Sequence, residues 1–243
     1  MSAIVIGASS GLGRALAEEL ARSKHDLLLV ASDPRDLEAL ASDLALRYAI
    51  AVNTLALELA READPGARIV NALDGLSAPD ALLLPIGYSR RDDDLCLDAV
   101  AIGEILAINL LAPLAIVQAL LPRLLEHRAT IVLFGSIAAV RGRGRNVVYA
   151  SAKRALVSLY ESLRQRYRPD ELRVQLYQLG FLATNLTHGM SLPALPTSPE
   201  RVAKTVVARL RHGSALRYLP LKFALIALIV RVLPWPLYRR MKS

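Results

Sequence analysis

Short apolar runs alternate with longer segments of helical periodicity along most of the chain. Strands are predicted at residues 3–6, 26–31, 54–59, 80–84, 130–134 and 173–178, of which 54–59 alternates only weakly. Helices are predicted at residues 12–22, from about 35 onwards, and at 105–122, 149–168 and 199–211, the last capped by Ser198 and opened by Pro199. This order predicts a single α/β domain with a parallel sheet that helices cover on both faces.

The stretch 105–122 contains no charged residue and is long enough to cross a bilayer. Asn109, Pro113 and Gln118 interrupt it and a predicted strand follows directly, so we predict a buried core helix. The first predicted strand begins at residue 3, which leaves no room for the charged and apolar regions of a signal peptide. A cytoplasmic location is therefore expected.

Composition narrows the function classes. The chain of 243 residues is 53% hydrophobic but only 5% aromatic, which indicates a large aliphatic core. Its one cysteine, Cys96, excludes an intramolecular disulfide, and its four histidines lack metal-ligand spacing, so no metal site is predicted. Residues 201–243 carry ten of the 30 Lys and Arg and none of the 22 Asp and Glu. The remaining chain has 20 bases against 22 acids, which argues against a nucleic acid partner despite the net charge of +8.

A glycine-rich turn lies between the first predicted strand and the first predicted helix. Glycines at such a junction let the backbone turn sharply and approach a pyrophosphate, which then meets the helix N-terminus. The residues predicted to bind a dinucleotide here are Gly7, Ser9, Ser10, Gly11, Leu12 and Gly13. The turn therefore predicts a Rossmann-type doubly wound sheet that binds NAD or NADP.

The choice between NAD and NADP depends on the end of the second strand. An acid there binds the ribose 2′-hydroxyl, whereas a nearby arginine favours the 2′-phosphate. Ala31 is not acidic and Ser32 is not basic, and Asp33 stands one position later. Ser32 is predicted to contact the cofactor, with Arg14 or Arg35 as the arginine that approaches the ribose, and the sequence leaves both cofactors open.

Tyr149 and Lys153 form the candidate catalytic pair. Four residues apart, they share one face of the predicted helix, where a neighbouring ammonium would lower the pKa of the phenol from about 10. Such a phenol exchanges a proton with a carbonyl or alcohol oxygen. Ser136 follows the predicted strand 130–134, and Asn109 lies inside the preceding helix.

With the glycine turn, these four residues make the chain resemble the short-chain dehydrogenase/reductase family over residues 3 to about 210. The resemblance implies that Tyr149 is the general acid in carbonyl reduction and that Lys153 holds the nicotinamide ribose and lowers the pKa of Tyr149. It further implies that Ser136 binds the substrate oxygen and that Asn109 holds a water of the proton relay. A homo-oligomer is also expected.

Further cofactor contacts follow from the same resemblance. Glu58-Leu59 stands where the family usually has Asp-Leu, and residues 179–184 stand where it has Pro-Gly-x-Val-x-Thr. Near the cofactor the resemblance places Glu58, Leu59, Gly87, Leu182 and Thr184. Two departures occur: only Gly87 remains of an Asn-Asn-Ala-Gly motif, at residues 84–87, and Leu179 replaces the family's proline. Neither departure touches the proton-transfer groups.

Three arginines occupy the loop between Ser136 and Tyr149. Arg141, Arg143 and Arg145 are spaced by glycines and are candidates to bind a substrate phosphate through bidentate contacts. The alternative is a solvated, charged loop.

The predicted reductase domain, residues 1–212, is followed by a basic, apolar C-terminal tail, residues 213–243. Its uncharged run 223–230 is too short to span a bilayer. Apolar residues flanked by Lys and Arg, with Trp235 and Tyr238, are typical of a helix lying in a membrane surface. We predict peripheral contact with the inner face of the cell membrane through residues 219–240; the alternative is a helix packed on another subunit.

A narrower resemblance rests on the arginine loop and the tail. Both are similar to those of reductases acting on polyprenyl-phosphate-linked 2-keto-pentoses in cell-wall polysaccharide biosynthesis. This implies a lipid-linked sugar phosphate as the ketone substrate, a partner oxidase, and a lid at residues 190–199. Two alternatives stay open: a soluble ketoreductase for a small or acyl substrate, and a non-catalytic cofactor-binding scaffold at the membrane.

Overall fold

The computed structural model of the protein describes residues 1–73, 78–183 and 196–240. In these ranges seven parallel strands form one sheet in the order β3-β2-β1-β4-β5-β6-β7. The strands are β1 (Ser2–Ile6), β2 (Asp26–Ala31), β3 (Val52–Ala56), β4 (Pro79–Leu84), β5 (Thr130–Ser136), β6 (Arg173–Leu179) and β7 (Ala215–Leu219). The strand order reverses between β1 and β4, the switch point at which doubly wound sheets bind ligands.

Helices cover both faces of this sheet, as predicted. They are α1 (Gly11–Arg22), α2 (Pro34–Tyr48), α3 (Pro65–Ala72), α4 (Ala99–Leu106), α5 (Ala112–Glu126), α6 (Val147–Arg166), α7 (Pro199–Val207), α8 (Lys222–Val232) and α9 (Trp235–Tyr238). Alternate strand residues point to opposite faces, so Val5 packs with α1, α2 and α7, whereas Ile4 packs with α3, α5 and α6. Two aliphatic cores therefore enclose the sheet.

The two strands that the sequence misplaced or missed lie at the edges of the sheet. The prediction for β2 is correct to the residue, but the strand predicted at 54–59 is Val52–Ala56, and β7 was not predicted. Both are edge strands without a fully buried residue, so their hydrophobic pattern is weak. Because β7 pairs with β6, the sheet extends beyond the predicted domain end at residue 212. Helix α3 was also missed.

Other predicted boundaries shift by a few residues. Ser136 is the last residue of β5 and does not lie beyond the strand. The helix predicted at 149–168 is Val147–Arg166, and the one predicted at 199–211 ends at Val207. Its predicted cap is correct, because the Ser198 side chain accepts a hydrogen bond from the Arg201 backbone N–H.

The uncharged stretch 105–122 lies in one long helical segment, 99–126. This segment is long and apolar enough to cross a membrane on length and composition alone, a test that core helices also pass. Its inner side includes the fully buried Ile105, Ile116 and Leu120, as expected of a core helix. A π-helical segment, Ala107–Leu111, interrupts the α-helical geometry and contains Asn109.

The C-terminal tail forms an apolar helix, as predicted, and this helix lies against the sheet edge. Phe223 and Ala227 are the buried residues of α8. A β-carbon added to Gly180 would lie 2.1 Å from the Phe223 ring, so only glycine allows this approach. Phe181 packs edge-to-face against the same ring, with centroids 6.2 Å apart.

Candidate active site

A cavity of about 770 Å³ opens at the carboxyl ends of the strands, next to the switch point between β1 and β4. Most of the predicted site residues line it: Gly7, Ser9, Ser10, Gly11, Leu12, Ser32, Glu58, Leu59, Gly87, Ser136, Arg143, Tyr149, Lys153 and Leu182. Among the described residues, no group of three or more His, Cys, Asp or Glu could hold a metal ion.

The glycine turn has the geometry that a dinucleotide requires. Gly7 and Gly11 have φ values of +87° and +49°, which side chains rarely allow. Gly13 does not line the cavity; a β-carbon there would lie 1.8 Å from the Gly7 carbonyl oxygen. Gly13 therefore lets α1 begin directly against the turn, so that the helix N-terminus faces the space for a pyrophosphate. The residues present fit a bound dinucleotide.

At the end of β2, Ser32 lines the cavity but Asp33 does not. The Asp33 carboxylate accepts a hydrogen bond from the Arg35 backbone N–H at 2.9 Å and pairs with the Arg35 guanidinium at 3.2 Å. Arg14 donates from Nε to the Ser9 carbonyl at 3.1 Å. Asp33 and Arg35 thus satisfy each other outside the cavity, which leaves Ser32 as the polar side chain at this strand end.

Asp93 orients the helix that carries Tyr149. Its carboxylate is 1% exposed and accepts hydrogen bonds from the backbone N–H groups of Val148 and Tyr149, both at 2.9 Å. The local cap residue, Asn146, adopts a left-handed conformation with φ +53° and makes no side-chain cap hydrogen bond. A distant carboxylate therefore replaces the ordinary N-cap of α6 and complements the positive end of the helix.

Burial raises the pKa of the Tyr149 phenol above its ordinary value. A hydrogen bond with the Ser136 side chain and the positive charge of Arg143 oppose this shift but do not reverse it. In this structure burial outweighs the lowering of this pKa that the family resemblance attributes to Lys153. Lys153 Nζ lies 5.9 Å from the centre of the Tyr149 ring, and burial lowers its own pKa to about 7. The amine therefore carries only part of a charge at neutral pH.

Lys153 and Asn109 support the segment in which the family motif is lost. The Lys153 ammonium, 3% exposed, donates to the carbonyls of Ile86 at 2.7 Å and Phe134 at 3.2 Å. Asn109 donates to the Tyr88 carbonyl at 2.7 Å and accepts from the Tyr88 N–H at 3.2 Å. Asn109 is fully buried behind the cavity and does not line it. Backbone contacts thus hold Gly87 at the cavity wall without the family's asparagines.

The three arginines of the loop have different surroundings. Only Arg143 lines the cavity, and its Nε is buried without a hydrogen-bond partner in the part of the chain that the structure describes. Arg141 instead donates to the carbonyls of Val230, at 2.9 Å, and Leu233. Arg145 is exposed. Arg141 thus binds the end of α8, and neither Arg141 nor Arg145 lines the cavity, so the predicted phosphate contact stays a prediction that Arg143 alone of the three supports by its position.

Two predicted features lie where the described residues end, at residue 183, and resume, at residue 196. Leu182 lines the cavity and forms a parallel bridge with Thr197. Thr184 and residues 190–195 of the predicted lid lie outside the described residues.

The sequence model of the short chain dehydrogenase family matches residues 1–193 of this chain. The chain belongs to this family. It is therefore an oxidoreductase with an NAD(P)-binding Rossmann-type fold. Among solved structures, a short-chain dehydrogenase from Sphingobium yanoikuyae in complex with NADPH is 23% identical, with a TM-score of 0.85 over 100% of this chain and 96% of that one.

Two relatives of this short-chain dehydrogenase match most of its length. An uncharacterised oxidoreductase of Mycobacterium tuberculosis is 27% identical over 98% of this chain and 96% of that protein. A very-long-chain 3-oxoacyl-CoA reductase of Aspergillus clavatus is 26% identical over 89% of this chain. The match spans 64% of the length of the Aspergillus protein.

The sequence analysis missed Asp93 in this member of the family. The residue lies within a charged run, 91–94, that looks like a solvated loop. Its partners are 55 and 56 residues away, so no local pattern reveals the cap. The one available signal was negative: Asn146 and its neighbours offer no ordinary capping box before α6.

Proposed function

We propose that this protein is an NAD(P)-dependent reductase of a ketone. The observation that carries the proposal is the Tyr149 phenol, hydrogen-bonded to Ser136 and located beside Lys153 in the cavity that the glycine turn also lines. A proton donor and a dinucleotide site thus share one space, as hydride transfer to a carbonyl requires.

Each residue of the site has a separate role in the proposed reduction. When bound, the reduced nicotinamide supplies the hydride that the carbonyl carbon accepts. Ser136 binds the carbonyl oxygen, and Tyr149 gives that oxygen its proton, which yields an alcohol. Because burial raises the pKa of Tyr149, the phenol stays protonated at neutral pH and is ready to donate. Lys153, whose pKa burial lowers to about 7, would exchange protons at the same pH and would hold the nicotinamide ribose of a bound cofactor.

The proposed substrate is a lipid-linked sugar phosphate, with the 2-keto group of a pentose as the reacting carbonyl. Arg143 supports an anionic substrate, since its guanidinium borders the cavity and its buried Nε has no partner among the described residues. An N–H group that is buried without an acceptor is costly, and a substrate phosphate that accepts from Arg143 Nε would relieve that cost.

The lipid part of this substrate agrees with a peripheral location on the inner face of the cell membrane. Many exposed apolar side chains of the tail support that location. A partner oxidase that forms the ketone belongs to the same proposal, as does a homo-oligomeric assembly.

A ketoreductase for an acyl substrate is the second candidate. It is supported by the similarity to the 3-oxoacyl-CoA reductase, whose substrate carries both phosphate groups and an acyl chain. The third candidate, a non-catalytic scaffold, would bind cofactor without turnover.

Tyr149→Phe tests the chemistry. We expect a loss of ketone-dependent NAD(P)H oxidation with unchanged cofactor binding, because the variant removes only the proton donor. A panel of simple ketones, a 3-oxoacyl-CoA and a lipid-linked 2-keto-pentose phosphate separates the candidates. Full activity of the variant would refute the mechanism, and no turnover by the wild type on any substrate would favour the scaffold.

Arg143→Ala tests the anionic substrate, with Arg145→Ala as the control of equal charge in the same loop. We expect Arg143→Ala to lower kcat/KM for the phosphate-bearing ketone by about tenfold to a hundredfold, the loss of one charge-assisted contact. Its effect on an uncharged ketone should be much smaller. Equal effects of the two variants on both ketones would contradict the role of Arg143.

A further inference from the structure

Helix α8 is apolar on both sides, although only one side has a partner within the described residues. Phe223 and Ala227 face the protein. Five exposed apolar side chains, which we call the outer stripe, lie away from these two: Leu225, Leu228 and Val232 of α8, Leu221 just before it, and Trp235 at the start of α9. They are 58–77% exposed. A helix that is apolar all round is normally buried. We therefore expect a protein partner or a lipid layer to cover the outer stripe.

The charges around the outer stripe indicate what covers it. Lys222, Arg231, Arg239 and Arg240 are all exposed beside it, and residues 201–243 contain no acid. Trp235 and Tyr238 pack together at the end of the stripe, with ring centroids 5.8 Å apart. Bases and amphipathic rings at the border of an apolar face match the headgroup region of a bilayer with negative lipids. A second copy of this chain would bring the same bases to the contact and be repelled, whereas anionic headgroups attract them.

We propose that the outer stripe docks on an anionic phospholipid bilayer and holds the cavity mouth at the membrane surface. This rests on the membrane location in the proposed function and adds which face docks. The inner side of α8 connects docking to the site, because Phe223 contacts Gly180 and Phe181, which both line the cavity. A substrate with a lipid anchor therefore has a short path from bilayer to cavity.

Arg141 connects the outer stripe to the loop that precedes Tyr149. Its guanidinium caps the C-terminal end of α8 through the carbonyls of Val230 and Leu233, where the helix dipole favours a cation. It also lies over the rings of Trp235, at 5.3 Å, and Tyr238, at 4.2 Å. The Tyr238 hydroxyl donates to the Gly142 carbonyl at 2.9 Å. The outer stripe is thus joined by direct contacts to the loop before Tyr149.

Vesicle sedimentation of the full-length protein tests the proposal. The pair Leu225→Glu and Leu228→Glu places two charges in the stripe, and Leu46→Glu, at an 87% exposed leucine of α2, is the matched control. We expect strong binding to vesicles of phosphatidylcholine with phosphatidylglycerol and weak binding to phosphatidylcholine alone. The paired variant should lose about a hundredfold in binding, since two leucines no longer enter the apolar layer, whereas Leu46→Glu should bind as the wild type.

Two further readouts keep the outcomes distinct. Trp235 is the only tryptophan, so its emission should shift to the blue on anionic vesicles. Thermal unfolding checks that the variants fold. A wild type that binds no vesicles but loses an oligomeric state with the paired substitution would overturn the proposal in favour of a second copy of the chain. Turnover of a water-soluble ketone is measured in parallel: turnover without vesicle binding refutes only the docking, and vesicle binding without turnover refutes only the reductase.

Discussion

At the scale of single residues, Lys153 shows how far the site departs from the most stable arrangement. Its ammonium is buried, and its hydrogen-bond partners among the described residues are two backbone carbonyls and no carboxylate. Burial lowers the pKa of the amine from 10.5 to about 7, which means that the folded protein releases a proton that the unfolded chain keeps. Burial of this amine therefore lowers the stability of the fold, and it gives the site an amine that titrates at physiological pH.

This lowered pKa predicts how stability depends on pH. Between about pH 7 and 10.5 the unfolded chain binds more protons, so the free energy of unfolding should rise with pH and fall again as pH drops towards 7. We expect the thermal midpoint to rise from pH 7.5 to 9.5 in the wild type, and this slope to shrink in Lys153→Met. His25, whose pKa is lowered by burial, titrates below this window. An unchanged slope in the variant would contradict the buried, neutralised amine.

Ser32 predicts a change of cofactor. A carboxylate at the end of β2 binds the ribose 2′-hydroxyl and repels a 2′-phosphate. Ser32→Asp should therefore raise the ratio of kcat/KM for NADH to that for NADPH by about tenfold or more. Asp33→Asn is the control, because Asp33 is paired with Arg35 outside the cavity and its loss should leave the ratio unchanged. Steady-state kinetics with both cofactors measure the ratio.

At the scale of elements, α6 depends on a residue from another loop. The helix presents Tyr149 and Lys153 to the cavity, yet its first N–H groups are bound by Asp93 and not by a local cap. The direction of the catalytic helix is thus fixed by the loop that follows β4. This loop also contributes Tyr88, whose backbone is bound by Asn109 of the π-helical segment. Three elements therefore share one set of backbone contacts around the cavity.

Removal of this distant cap should affect stability and turnover together. Asp93→Ala should lower the free energy of unfolding by about 0.5–2 kcal/mol, the usual cost of a lost cap, and should lower kcat because the Tyr149 backbone loses its acceptor. Asp93→Asn keeps an acceptor and should lie between. Asp92→Ala is the control, since Asp92 is exposed and its carboxylate pairs with Arg90 at 2.8 Å. Denaturant unfolding and kcat are measured on all three; a fully active Asp93→Ala would contradict the positioning role.

At the scale of the whole molecule, sequence patterns predicted what is buried and local. The strands β1, β2, β4, β5 and β6, the glycine turn and the Tyr149–Lys153 pair all follow from short-range patterns. The edge strands β3 and β7 were misplaced or missed because sheet edges lack a continuous apolar run. The contacts of Asp93 and Arg141 join residues 55 to 92 positions apart, so no local pattern contains them.

The contact between the tail and the body predicts a coupled loss of order. In Arg141→Ala, two carbonyls at the end of α8 lose their donor and two aromatic rings lose a cation, a loss of about 1–3 kcal/mol. We expect faster hydrogen exchange in α8 and a red shift of Trp235 emission, while Arg145→Ala should change neither. Identical exchange in the two variants would contradict the contact.

The Arg141 contact also determines how this chain can be rebuilt. If the C-terminal tail alone were replaced by that of a relative, the new tail would lack its matching partner at position 141. The exchange would also disrupt the pairing of β7 with β6 and the contact between Gly180 and Phe223. Truncation before α8 would likewise leave a glycine without its ring and an arginine without its carbonyls. A chimera that folds must therefore take residue 141, residue 180 and the C-terminal helices from the same parent protein.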